Sequence, residues 1–252
     1  MFLKNLFSNQ KSHFLWLQVL IVIITLAAVA IVLVLGGKTY NEAMKITLDQ
    51  FNRQQLTLAR TAATGIETFI INVKDDLIAL SEFPAVQRME PDILEKMKTI
   101  YAGFPPRTSL RRLDKNGILR FIYPNKDWRR ELIGRNYSEE VYFQKAKETG
   151  EITFTGLITN EVGERRIRVV KPVFIENEKG AREFNGVIIN SFSPEVLSDL
   201  YIAPIVSGKT GYAWLLNEDG IFLAHYEKEF IGQNAFEVRK EKRPGISSKA
   251  IN

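Results

Sequence analysis

The chain has no cysteine and only two histidines, His13 and His225, in 252 residues. The first absence excludes a disulfide framework, a thiolate metal site and a cysteine nucleophile. It leaves the compartment open, since many exported proteins also lack cysteine. The second nearly excludes a multi-histidine metal centre or a Ser-His-Asp triad. Charge of one sign is also scarce: the formal net charge is +5, and Lys4 and Lys11 supply part of it. A nucleic-acid binder concentrates basic residues on one face or helix, whereas the densest run here, Arg239–Arg243, is interrupted by Glu241 and reads as a solvated loop. Phosphate-cradling glycine loops, HExxH, a kinase phospho-acceptor box and Gly-x-Ser-x-Gly are all missing. No catalytic residue, metal ligand or cofactor is therefore assigned, and an enzyme is not expected within these residues.

One long apolar run is present. Phe14–Leu35, FLWLQVLIVIITLAAVAIVLVL, carries no charge. As a helix it is roughly 33 Å long, enough to cross a hydrocarbon core of about 30 Å. A cleaved signal peptide would have a shorter apolar region and small residues at its end, and GGKTYNEA after the run is a poor cleavage site. The reading is an uncleaved transmembrane helix over 14–35. Lys4 and Lys11 place the 1–13 tail in the cytoplasm by the positive-inside rule. Residues 38–252 then lie outside, periplasmic or extracellular, on a protein of the cell (inner) membrane.

From Lys38 to Glu82 the pattern is that of one long helix, with Leu48, Phe51, Leu58, Ala62, Ile66, Phe69, Val73, Leu77 and Leu80 at steps of three and four and Gln55 as the exception. Such a helix would be roughly 65 Å long. Its stripe is expected to face a second copy in a homodimer, or else to pack on its own downstream domain.

Beyond a short helix in PDILEKMKTIYAGF, a pattern occurs twice. LDKNGILRFIYPNKDWRRELIGRN, Leu113–Asn136, and LNEDGIFLAHYEKEFIGQN, Leu216–Asn234, share Leu, Asp or Asn, a spacer, Asn or Asp, Gly-Ile, and later Ile-Gly-x-Asn. Asn-Gly and Asp-Gly between apolar runs predict strand, tight turn, strand. Between the copies, SEEVYFQKAKETG predicts a helix with Ser138 as N-cap and Gly150 as its stop. ITFTGLIT, RRIRVVKPVFI and FNGVIINSF follow as three strands, and SPEVLSDL opens a helix capped by Ser193. The fold class is α+β, with a duplicated domain.

The long helix, the two G-I…IG-x-N copies and NYSEEVYFQKAKETG resemble a double Cache domain, the PAS-like extracellular sensor of bacterial histidine kinases, chemoreceptors and cyclic-dinucleotide enzymes. GKTGYAWLLNEDGIFLAH is similar to the start of that family's membrane-proximal module. The resemblance covers roughly residues 38–252. It implies a membrane-distal PAS-like module over 83–192, a proximal module over 193–252 that is incomplete at Asn252, and a small-molecule pocket in the distal one. The family's second membrane span and output domain, here expected to be a histidine kinase, are not in this sequence.

In amino-acid sensors of the family, the resemblance implies a helix pattern Tyr-x-x-Arg-x-aromatic-aromatic-x-x-Ala whose arginine grips a carboxylate. In YSEEVYFQKA, Tyr137, Tyr142, Phe143 and Ala146 match, but Glu140 stands for the arginine. The family's ammonium-binding aspartate falls near GVIINSF, where Asn190 and Ser191 are the polar residues. From the residues themselves, Arg166, Arg168 and Lys171 are candidate anion contacts. Alternation sets Arg166 and Arg168 on one strand face and Ile167, Val169 and Lys171 on the other; a solvated edge is the alternative. Trp128 and Arg129 complete the candidate wall, and Tyr142 and Phe143 can equally be core.

Three functions fit: the sensing region of a transmembrane receptor with a small-molecule ligand, a membrane-anchored binding or scaffold protein, and a duplicated domain that has lost its ligand. The lipid bilayer and a second copy are the expected partners, with no nucleic acid. The topology has a direct check. A phosphatase reporter fused after Asn252 should be active only outside the membrane, and activity there of a reporter that works only in the cytoplasm would overturn the orientation.

Overall fold

The structure is a computed structural model that describes residues 2–125, 127–208 and 211–242. Side chains of the N-terminal lysines and of the Arg239–Arg243 run lie outside that description. The chain divides into two compact units, Met1–Thr57 and Leu58–Asn252. Among the described residues the first unit is wholly helical. Helix α1 runs Phe2–Glu82, and in the first unit its apolar residues from Trp16 to Leu35 stand exposed around the helix, Ile24 at 58% and Val32 at 67%. By length and hydropathy this helix can cross a membrane.

In the second unit α1 continues to Glu82 and is followed by α2 (Pro84–Arg88) and α3 (Ile93–Tyr101). The strands β1 (Thr108–Leu113), β2 (Leu119–Tyr123), β3 (Thr153–Phe154), β4 (Ile158–Thr159), β5 (Arg165–Glu176) and β6 (Arg182–Phe192) form an antiparallel sheet. Its order is β2-β1-β6-β5-β3, with β4 also on β5. ITFTGLIT is therefore two short strands rather than one, separated around Gly156.

The sheet is covered on both faces. One face packs on α1 through Phe69, Val73, Leu77 and Leu80, against Leu110, Val169, Ile188 and Phe192. Full burial of each such side chain contributes about 1.5–3 kcal/mol. The apolar stripe thus divides: Phe69 and Val73 are committed to this module, with the Phe69 ring edge-on to Phe192 at 5.2 Å, whereas Leu48 and Phe51 are exposed. Phe69 and Val73 do not face a second copy. The opposite face carries Leu113, Leu119, Ile122, Val170, Val187 and Ile189 under α4 (Val141–Thr149). Gly150 ends α4 in the left-handed region at φ +69°, as expected, but the N-cap is Glu140 and not Ser138. Ser138 instead offers its carbonyl to Gln144.

Arg112 belongs to the α1 face and is fully buried. Its guanidinium donates to the carbonyls of Val86 (3.0 Å), Asn185 (2.8 Å), Gln87 (3.4 Å) and Leu113. Two of these are carbonyls of the last turn of α2, and that of Gln87 also accepts from Asn185 Nδ2 at 2.6 Å. Burial pulls its pKa down to about 10, against the opposing charge of Asp114, so it stays cationic at neutral pH.

The repeated pattern is the same hydrogen-bonded clamp twice. Asp114 Oδ1 accepts the N–H groups of Asn116 (2.9 Å) and Ile118 (3.0 Å); Asn217 Oδ1 accepts those of Asp219 (3.1 Å) and Ile221 (2.8 Å). Gly117 and Gly220 take φ +79° and +76°. Asn116 and Asp219 keep negative φ, so these are Asx-initiated turns with one left-handed glycine rather than two-residue turns of the mirror type. The returning chain is caught identically. Gly134 N–H bonds Leu119 O and Gly232 N–H bonds Phe222 O, both at 2.8 Å. Asn136 and Asn234 bridge Ile118 and Ile221.

The second copy contains β9 (Trp214–Leu216) and β10 (Phe222–His225), preceded by β7 (Val206–Ser207) and β8 (Gly211–Tyr212) and followed by α6 (Ala235–Lys242). SPEVLSDL forms α5 (Glu195–Leu197) and widens into a π turn at Ser198–Ile202. Its cap is Pro194, with Ser193 Oγ accepting the Glu195 N–H at 3.3 Å. His225 is buried, and its Nδ1 accepts the Glu227 N–H at 2.9 Å, a turn-forming role.

Asp114→Ala removes both side-chain acceptances in the first clamp and the 2.6 Å contact to Arg120. We expect a stability loss of about 1–3 kcal/mol in urea denaturation of the full chain, and the same direction for Asn217→Ala.

Candidate functional site

The sheet face under α4 collects charge. Strand alternation places Ser109, Arg111 and Leu113 of β1, Arg166, Arg168 and Val170 of β5, and Val187, Ile189 and Ser191 of β6 on that face. The register sets Ser109 and Arg168 on either side of Ser191, and Arg111 and Val170 on either side of Ile189. Arg111 and Arg168 therefore rise diagonally from neighbouring rows, with β6 between them.

Both are 3% exposed, and both meet one carboxylate, that of Glu161 in the β4–β5 turn. Arg111 makes a forked contact: Nη1 to Oε1 at 2.9 Å and Nη2 to Oε2 at 3.4 Å. Arg168 Nη2 lies 3.8 Å from Oε1. Aromatic rings complete the enclosure, with Arg168 Cζ 5.0 Å from the Tyr142 ring centroid and Arg111 Cζ 6.0 Å from that of Tyr137. These are cation–π distances.

Two cations thus share one anion, and donors remain. The Nε groups of Arg111 and Arg168, the Ser191 hydroxyl and the Tyr137 hydroxyl are buried and make no hydrogen bond within the protein. Burial alone would raise the Glu161 pKa, but the hydrogen bond and charge of Arg111 outweigh it and bring the value down to about 2. The nearby Tyr137 hydroxyl acts in the same direction, although its approach lacks the geometry of a formed hydrogen bond. Burial pushes Tyr142 up to about 12, with Arg168 opposing, and raises Tyr137 as well. Both phenols are neutral donors at physiological pH.

The residues singled out from sequence separate into groups. Tyr137, Tyr142 and Arg168 meet at this cluster, and Phe143 lies beside them as core, edge-on to Phe184 at 5.8 Å. Trp128 and Arg129, in the 3-10 turn Asp127–Leu132, are half-buried; Trp128 packs against the same apolar cluster and carries the Arg129 guanidinium at 5.5 Å. Arg129 has a lowered pKa, first from burial and then from the charge of Arg166. Arg166 shares the face but turns to the Arg107 carbonyl at 2.6 Å and to Glu164.

The remaining three stand apart. Glu140 is exposed at the start of α4. Lys171 lies on the α1 face with Nζ bonded to Pro172 O at 3.0 Å, lining a cavity of about 440 Å³ with Glu82, Arg88 and Arg182. Asn190, paired in register with Leu110 and Val169, also belongs to the α1 face; both its side-chain polar atoms are buried without a hydrogen bond within the protein. Arg111 and Glu161 were not singled out from sequence. Alternation in TSLRRL, with Ser109 and Arg111 on one side, is the signal that finds Arg111. Among the described residues no group of three or more His, Asp or Glu side chains is placed to hold a metal ion.

The chain matches the family described as the Cache domain over residues 43–252. No curated protein matches it. Its fold is similar to an extracellular ligand binding receptor from Desulfohalobium retbaense, with TM-score 0.55, 18% identity, and coverage of 77% of this chain and 34% of that one. This chain thus spans about a third of that receptor's length. It is also similar to the ligand binding domain of the Pseudomonas aeruginosa amino acid chemoreceptor PctB in complex with L-Gln (TM-score 0.52, 15% identity, 73% of this chain and 72% of that one). A third likeness is the ligand-binding domain of the Campylobacter jejuni chemoreceptor Tlp3 in complex with 4-methylisoleucine (TM-score 0.56, 16% identity, 73% of each chain). At these identities the likeness concerns the fold.

Glu161 has a folded pKa below its ordinary 4.5, so the stability it contributes is complete above about pH 4.5 and is lost as pH falls toward 2. The facing groups are Arg111 and Arg168 from the strands and Tyr137 and Tyr142 from the α4 side, none of which changes charge in that window. Urea denaturation of the full chain at pH 6, 4 and 3 should show wild type losing its advantage over Glu161→Gln as pH falls. A constant difference would contradict the depressed pKa.

Proposed function

Because this chain belongs to the Cache domain family, we propose that residues 38–252 are the extracytoplasmic sensing region of a transmembrane receptor, and that a small solute binds in the module of residues 83–192. The observation that carries this reading is the pair of buried guanidinium groups, Arg111 and Arg168, sharing one carboxylate with unpaired Nε donors left over. Leaving a buried charge uncompensated costs about 3–5 kcal/mol. A sheet that needed only packing would carry aliphatic residues there. Buried cations with spare donors, walled by Tyr137 and Tyr142, suit recognition of an anionic group.

The fold relatives are receptors or chemoreceptors, and two of them are in complex with an amino acid or a close analogue. The exposed apolar stretch of α1 supplies the anchor, with the N-terminus inside. The exposed Leu48 and Phe51 part of α1 supplies the dimer contact, and a signalling output beyond residue 252 receives the change. The solute differs in kind from those of the amino-acid receptors. The position that the family resemblance gives to a carboxylate-gripping arginine holds Glu140, which is exposed. Around the arginine pair, the carboxylate that could receive an ammonium, Glu161, is already taken.

Thermal unfolding of the full chain in nanodiscs, titrated with amino acids, carboxylates and amines, tests this. Carboxylates without an ammonium group should raise Tm, free α-amino acids should act weakly, and Arg111→Ala or Arg168→Ala should weaken the response about tenfold or more. Tight binding of an ordinary α-amino acid, untouched by either substitution, would overturn the proposal.

A further inference from the structure

The carboxylate held by the arginine pair belongs to the chain itself. Glu161 lies in the turn joining β4 to β5, and its side chain keeps 15% exposure while those of Arg111 and Arg168 keep 4% and 3%. The carboxylate therefore stands between the guanidinium groups and solvent, and an incoming anion reaches them by taking its place. Beyond its Cα, a glutamate side chain is a propionate group on a tether.

The turn is built to hold its shape without that contact. Asn160 Oδ1 accepts the N–H groups of Val162 (3.1 Å) and Glu164 (2.8 Å), and Asn160 Nδ2 donates to Glu164 Oε2 at 3.0 Å. Gly163, at φ +81°, bonds Asn160 O at 3.1 Å. β4 itself is two residues long, pairing Ile158 with Arg166 and Thr159 with Arg165. Glu164 at the base of the turn stays paired with Arg166, so release of Glu161 lets the tip swing out while the base remains anchored.

We infer that Glu161 is a tethered occupant of the binding site: the turn of residues 160–164 closes the arginine pair in the free protein, and the solute is a small carboxylate that displaces Glu161 and frees the turn. This rests on the binding reading above and adds its ligand class and its gate. Displacement leaves two guanidinium groups facing the solute. A dicarboxylate such as succinate therefore balances them best, a monocarboxylate such as propionate reproduces the displaced group, and an ammonium is repelled. A group on a short tether acts at an effective concentration on the order of millimolar, so the free protein should respond only to carboxylates that exceed it.

The test uses the full chain in nanodiscs, with thermal unfolding followed against propionate, succinate and propylamine at constant ionic strength. Wild type, Glu161→Gln, Glu161→Ala and Glu161→Ala combined with Arg111→Gln are compared. Removing the tethered carboxylate should lower the half-saturating concentration of propionate and succinate at least tenfold, propylamine should have no effect, and adding Arg111→Gln should abolish the response. Where Glu161→Ala fails to fold by circular dichroism, Glu161→Gln, which keeps the shape, decides. Equal half-saturation in wild type and Glu161→Gln would overturn the gate while leaving solute binding in place. No response to either carboxylate in any form would overturn the ligand class, and a response to other solutes would then separate that failure from failure of the sensing reading itself.

Discussion

Strands β5 and β6 are covered on both faces, and a sheet closed on both sides shields the charge it carries from bulk solvent. Four arginines from β1 and β5 nevertheless point into it: Arg111, Arg112, Arg166 and Arg168, all 6% exposed or less. Each needs a counterpart in a medium where solitary charge is costly, and the counterparts fix much of the surrounding architecture. Arg112 draws the carbonyl end of α2, the β5–β6 hairpin side at Asn185, and β1 into one knot. Arg166 ties the β4–β5 turn to the Arg107 carbonyl before β1. Arg111 and Arg168 draw the same turn's tip inward and settle against two tyrosines. Apolar burial drives the sheet together, and satisfaction of these cations decides which loops lie where.

Much of this frame was legible from the amino acids because its causes are local. The steps of three and four that mark α1, the Asx-x-x-Gly-Ile turns and the glycine stop of α4 depend on residues within a few positions of one another. The candidate site is legible only in part. Alternation divides Arg166 and Arg168 from Lys171, as the register shows, whereas Asn190, one residue from Ser191, lies on the opposite sheet face from the arginine cluster. Arg111 and Glu161 are fifty positions apart, and their meeting depends on β1, β6 and β5 pairing in register, which no local window contains. The stripe on α1 was ambiguous for the same reason: an apolar face states that it will be covered, not by what. The strand ITFTGLIT is interrupted because its register against β5 shifts by one residue between the Phe154–Val169 and Ile158–Arg166 pairs.

The contrast with the family resemblance lies in where the guanidinium groups originate. A gripping arginine at the start of α4 would stand on an element that packs over the sheet rather than within it. Here the helix start carries Glu140, and the cations rise from β1 and β5, which are bonded across β6 along their length. A candidate site grounded in strands keeps its geometry, and what lies over it is the β4–β5 turn and α4.

The two clamps differ in how much chain they enclose. Between the Gly-Ile and Ile-Gly pairs the first holds residues 119–132 and the second residues 222–230, fourteen against nine. The bonds that close them are nonetheless the same, because they come from backbone groups and one Asx side chain at each end. Beyond β2 and β10 the enclosed stretch is therefore free to change length and composition without disturbing the closure. In the first copy that freedom accommodates the turn with Trp128 and Arg129 at the margin of the cluster. A scaffold closed in this way is open to loop grafting: segments of different length can be exchanged between Tyr123, where β2 ends, and Leu132 to alter the wall beside the arginines while the sheet beneath stays as it is.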